Sequence, residues 1–226
     1  MTVAEDTSQR TLVARLGEES LNLFRKAQDD ESSRQGFIDS IVLGPWGKYV
    51  SRIAYDPGYF EQKKSTAYMS TDLTKLQRYL RVPWQKTRIR VASSVFENRD
   101  VTTSEEFLSY LDHELEHARQ FYEQSRKYIP SWIKALKTAI RIANADESDE
   151  KMLLEQVYAM AERDAYAHQL RLIEDRTRNV GSGFRSTVQA LLLHYQRICA
   201  GELPIPAFDP KKPLKSTSIK NSMKGK

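Results

Sequence analysis

The sequence predicts an α+β fold in which a small sheet precedes a mainly helical core. Three observations carry this. Residues 36–95 are punctuated by Gly44-Pro45 and Pro57-Gly58 and contain two runs in which apolar and polar residues alternate. From Thr103 onward, apolar residues recur at helical spacing over most of the remaining chain. A chain of 226 residues, 40% hydrophobic and 29% charged, suits one domain with a sizeable core.

The elements are expected in this order. Residues 1–10 read as disordered. A helix is expected from Thr11 to about Lys26, where Leu12, Leu16, Leu21 and Phe24 recur at helical spacing. The DDESS stretch reads as a loop, Tyr49–Tyr55 as a strand, Leu73–Tyr79 as a short helix and Arg88–Ala92 as a second strand. Thr103 followed by Glu106 is a capping box, so a helix should start there and run to about Tyr128, before Pro130. A second helix is expected over Ser131–Ala143. A third should run from about Glu150 to Arg176, its acidic start matching the helix dipole. Gly181-Ser182-Gly183 should break it before a last helix over Phe184–Ala200. Residues 11–207 then form one domain, and 208–226 a basic, disordered tail.

Charge and composition narrow the function classes. Six lysines and no acid lie between Pro210 and Lys226, so the net charge of +5 belongs to the tail and the body is close to neutral. No specific nucleic-acid binding is expected, and the tail reads as a solubilising end. No run of about 18 apolar residues suggests a membrane span. The N-terminus lacks the basic start and apolar stretch of a signal peptide. Cys199 is the single cysteine, which rules out an intramolecular disulfide, and a cytoplasmic location is expected.

The chemistry concentrates in His113-Glu114-Leu115-Glu116-His117. Residues four apart on a helix share a face, so both imidazoles can reach one ion. Glu114 is turned about 100° from His113 and is placed to take a proton from a metal-activated water rather than to bind the ion. Phe107, Leu111, Leu115, Ala118 and Tyr122 form a core-facing stripe, with the histidines at its edge. A catalytic zinc normally has three protein ligands. The best third candidate is Glu162, because its helix is apolar nearly all round and a buried carboxylate needs a partner. Glu155, two turns earlier, is the alternative ligand; Asp164 and His168 point elsewhere on the wheel. The plain alternative for Glu162 is a salt bridge to a nearby arginine.

HELEH on one helix, with Glu162 some 45 residues downstream in a Glu-x-x-Ala context, resembles the gluzincins, and among them the small single-domain minigluzincins. The Glu-x-x-Ala context is also similar to that of the membrane-bound prenyl-protein proteases, without their transmembrane helices. The resemblance covers about residues 85–175. It implies a zincin-like fold and a metallopeptidase holding one Zn²⁺ per chain through His113, His117 and Glu162. It implies Glu114 as general base and a peptide or protein as substrate. Many gluzincins carry an acid four residues after the ligand Glu to support a zinc-bound His; here that position is Tyr166, whose hydroxyl is the candidate for the same task. Tyr166, or Tyr158, is also the candidate to steady the oxyanion. The family's substrate-pairing edge strand is expected at Arg88–Ala92. Two other readings stand beside this one: a catalytically inactive zincin-fold binding protein, and a ferritin-like di-metal protein. The second needs another Glu-x-x-His, and the chain has only Glu114-x-x-His117.

Overall fold

Thr103 begins the helix around which the molecule is organised. Its hydroxyl accepts a hydrogen bond from the Glu106 amide at 3.1 Å, and the Glu106 carboxylate accepts from the amides of Thr102 and Thr103 at 2.7 and 3.3 Å. The capping box thus satisfies backbone donors that a helix start leaves open. The computed structural model describes residues 15–16, 20–65, 67–72, 86–97, 101–127 and 147–203. The expected disordered start, the helices over Leu73–Tyr79 and Ser131–Ala143, and the tail at 208–226 lie outside the described residues.

The described elements are β1 (Arg15–Leu16), α1 (Ser20–Asp29), α2 (Arg34–Asp39), β2 (Ile41–Val42), β3 (Val50–Tyr55), α3 (Pro57–Gln62), β4 (Met69–Asp72), β5 (Thr87–Val91), α4 (Ser94–Glu97), α5 (Ser104–Lys127), α6 (Glu147–Glu174) and α7 (Ser182–Cys199). The chain is therefore mixed α+β and mostly helical. The helix expected from Thr11 is shorter at its start: Arg15–Leu16 pairs antiparallel with Ile41–Val42, and the helix opens at Ser20. Gly17, a poor helix former, separates the two. DDESS is not an open loop, because Asp30 caps a 3₁₀ turn over Glu31–Ser33 by accepting from the Ser32 amide at 2.9 Å.

The larger sheet has the order β3-β5-β4, with β3 parallel and β4 antiparallel to β5. The expected edge strand is thus the central one. Its alternation is real, with Ile89 and Val91 fully buried and Arg88 exposed. Alternation reports which face is buried, though, not how many neighbours a strand has. The second neighbour, Met69-Ser70-Thr71-Asp72, carries little apolar pattern of its own. Among the described residues β3 and β4 each pair with β5 alone, so both lie at an edge, and β4 is the one that packs on α5.

Helix α5 lies between two cores. Phe107, Leu108, Leu111, Leu115 and Ala118 join Phe24, Phe37 and Phe96 beneath the sheet, with the Phe37 and Phe107 rings 4.9 Å apart. Tyr166, Leu170, Ile173, Phe184, Val188 and Tyr195 form the second core between α6 and α7. Tyr110 touches both, its ring 5.0 Å from Tyr68 and 5.1 Å from Phe184. Helix α6 is not apolar all round: Met160 is 49% exposed and Asp164, Ala167 and Arg171 face solvent. It ends at Glu174, before the glycines, where Arg176 adopts a left-handed conformation at φ 55°. That turn sends Arg178 back to α5, where it forms a two-pronged, almost fully buried ion pair with Asp112 at 2.6 and 3.0 Å. Among the described residues no helix is long and apolar enough to cross a membrane.

Candidate metal centre

Helix α5 turns His113 and His117 toward the same point, with their Nε2 atoms 3.1 Å apart. Glu162 enters from α6. One of its carboxylate oxygens is 3.4 Å from His113 Nε2 and the other 3.2 Å from His117 Nε2. All three side chains are buried. Among the described residues no arginine pairs with Glu162; the adjacent Arg163 pairs with Asp164 at 2.7 Å. Among the described residues this is the only group of three such donors that could hold an ion.

Two imidazole nitrogens this close repel lone pair to lone pair unless a proton or cation stands between them. The carboxylate adds a negative charge to the same point, so the cluster demands positive charge. In the metal-free protein a proton meets the demand. Burial alone would lower the pKa of His117, but Glu162 outweighs it and raises the value to about 9. Burial would likewise raise the Glu162 pKa, yet the two imidazoles hold it well below the usual carboxylate range. The geometry also fits zinc. Donors on a tetrahedral zinc, bonded at about 2.0–2.2 Å, stand about 3.3–3.5 Å from one another. The 3.1 Å between the two Nε2 atoms is close to that spacing, and Glu162 turns one oxygen toward each imidazole, at 3.4 and 3.2 Å.

Glu114 is half-buried and lies outside this triad. Thr71 of β4 holds it: the Thr71 hydroxyl is 2.7 Å from a Glu114 carboxylate oxygen and 2.9 Å from the Glu114 carbonyl oxygen. Sequence reasoning did not single out Thr71, because nothing in its strand marks it.

Tyr166 is brought to the cluster, its ring 4.2 Å from that of His113 and stacked on Tyr195 at 5.7 Å. It does not support a ligand histidine by hydrogen bonding. His113 Nδ1 is buried without a hydrogen-bond partner among the described residues, and His117 Nδ1 pairs with Gln120 Oε1 at 3.1 Å. The reason is placement: the Tyr166 ring packs against the His113 ring instead of donating to its edge. Burial, then the Glu162 charge, raises the Tyr166 pKa well above its ordinary value, so the phenol keeps its proton. Gln120 was not foreseen either; its signal, visible afterwards, is the extension of the histidine face by one more turn to position i+7. Asp164 is exposed, and His168 Nδ1 faces Arg171 at 3.1 Å, so neither joins the triad. The side chains of Glu155 and Tyr158, on α6, lie outside the described ones.

No protein-family model matches the chain, and no match was found among curated proteins or solved structures.

Proposed function

We propose that this chain is a zinc-dependent peptide hydrolase with a zincin-like fold, holding one Zn²⁺ through His113, His117 and Glu162. The observation that carries the reading is the buried His-His-Glu triad closing to 3.1–3.4 Å beside a second, separately held carboxylate, Glu114. Zinc bound there supplies a water of lowered pKa and an electrophile for a carbonyl oxygen. Glu114 accepts the proton of the attacking water and delivers it to the leaving amine. Thr71 keeps the accepting carboxylate oriented. The protonated Tyr166 phenol is suited to donate to the oxyanion. The side of β4 that has no strand partner among the described residues is suited to pair with an extended peptide backbone, which would hold a substrate without reading its side chains strongly.

Metal analysis combined with a casein assay tests the reading. The purified protein is expected to carry about one zinc per chain, and His113→Ala and His117→Ala to lose it. Equal zinc in the parent and the double mutant would remove the metal site. Zinc without hydrolysis of casein or a peptide library would favour a zincin-fold binding protein.

A further inference from the structure

A metal-binding imidazole uses one nitrogen for the ion, and its other nitrogen must carry the proton. When that N–H is buried, whatever accepts it fixes both the tautomer and the ring orientation. For His117 the acceptor is Gln120 Oε1, 3.1 Å from Nδ1. The Gln120 amide is itself oriented. Its Nε2 donates to the Ala161 carbonyl at 3.1 Å, and flipping the amide would set oxygen against oxygen there. The proton therefore sits on His117 Nδ1, and Nε2 is turned toward His113 and Glu162.

Ala161 directly precedes Glu162. One buried side chain thus links the second histidine on α5 to the backbone that carries the glutamate on α6. We propose that Gln120 is a positioning residue of the metal site, a strut that holds His117 in its metal-binding tautomer and docks the Glu162 segment at ligand distance. The acceptor is a neutral amide, and His113 Nδ1 has no partner among the described residues. Among the described residues neither Nδ1 meets a carboxylate, so the negative charge facing the ion would come from Glu162.

This rests on the metal-site reading above, and the test separates the two. Metal-free protein is titrated with zinc against a chromophoric chelator, for the parent, Gln120→Leu and Gln120→Glu. Gln120→Leu removes both ends of the strut at similar volume, and its affinity is expected to fall about 10–100-fold. Gln120→Glu keeps an acceptor for the Nδ1 proton and is expected to bind more tightly than Gln120→Leu. Nitrogen-15 histidine spectra of the zinc-loaded parent should show His117 protonated on Nδ1, a readout available even if Gln120→Leu does not fold. A parent that takes no zinc overturns the site and this proposal with it. A parent that binds zinc while Gln120→Leu binds equally, or whose His117 is protonated on Nε2, overturns the strut alone. Equal losses in the Leu and Glu variants would also overturn it, since the acceptor would then have no role.

Discussion

The triad and Glu114 differ in what each carboxylate touches, and that difference can be measured. Glu162 contacts both imidazoles, whereas Glu114 is held by Thr71. Glu162→Gln removes a charged oxygen from the ion and should lower zinc content. Glu114→Gln should keep the zinc and the fold while turnover falls by about 10²–10⁴-fold, as expected on losing a general base. Full zinc in Glu162→Gln would reassign the third ligand, with Glu155 the next candidate. Undiminished hydrolysis by Glu114→Gln would refute the mechanism. Thr71→Val removes only the hydroxyl that orients the base, so its turnover should drop about tenfold with zinc content unchanged, and Thr71→Ser should recover it. If zinc content falls as turnover does, Thr71 acts on the fold rather than on Glu114.

At the level of elements, the cluster depends on α5 and α6 keeping their relative position. Outside the site, Asp112 of α5 pairs with Arg178, four residues past the end of α6, with both partners almost wholly buried. Arg178→Ala leaves Asp112 charged and buried, and should cost about 3–5 kcal/mol in chemical denaturation. Replacing both by leucine should cost less than the single change; a loss below about 1 kcal/mol in Arg178→Ala would show the pair to be incidental. These contacts also mark what the sequence could and could not reveal. The capping box and the histidine spacing are local, spanning three and four residues, and helix geometry makes them readable. Glu162 was legible as a carboxylate among the apolar residues of its helix, although α6 also turns Asp164 and Arg171 to solvent. Thr71 and Arg178 find their partners 43 and 66 residues away, and Gln120, though three residues from His117, also reaches Ala161 41 residues on; no periodicity encodes these distant meetings. The edge-strand expectation failed for the same reason: β5 announces a buried face, but its central place depends on β4, whose four residues have little pattern.

For the whole molecule, two histidines set how stability varies with pH, and at one of them, His117, the proton would compete with a bound metal. Burial lowers the His168 pKa to about 4 against an ordinary 6.5; of the charges near it, Glu116 opposes the shift and Arg171, Arg119 and His113 add to it. The unfolded chain therefore takes up a proton there before the folded one does. Stability is held above pH 6.5 and lost as pH falls toward 4, by an amount on the order of 3 kcal/mol. His117 works in the opposite direction. Its folded pKa of about 9 gives stability that is complete below 6.5 and lost as pH rises through 9. Chelated, metal-free protein should accordingly melt highest near pH 6.5. Zinc bound at the triad would displace the His117 proton, and that proton becomes easier to remove as pH rises, so stabilisation by zinc should grow between pH 6.5 and 9. Thermal melts with a chelator and with excess zinc should therefore diverge on the alkaline side, the zinc-loaded optimum moving upward in pH. His168→Gln should flatten the acid limb of both curves and leave their alkaline divergence intact. Melting curves that stay parallel across the whole range would mean that zinc does not bind in place of the His117 proton, and the triad would lose its assignment as the metal site.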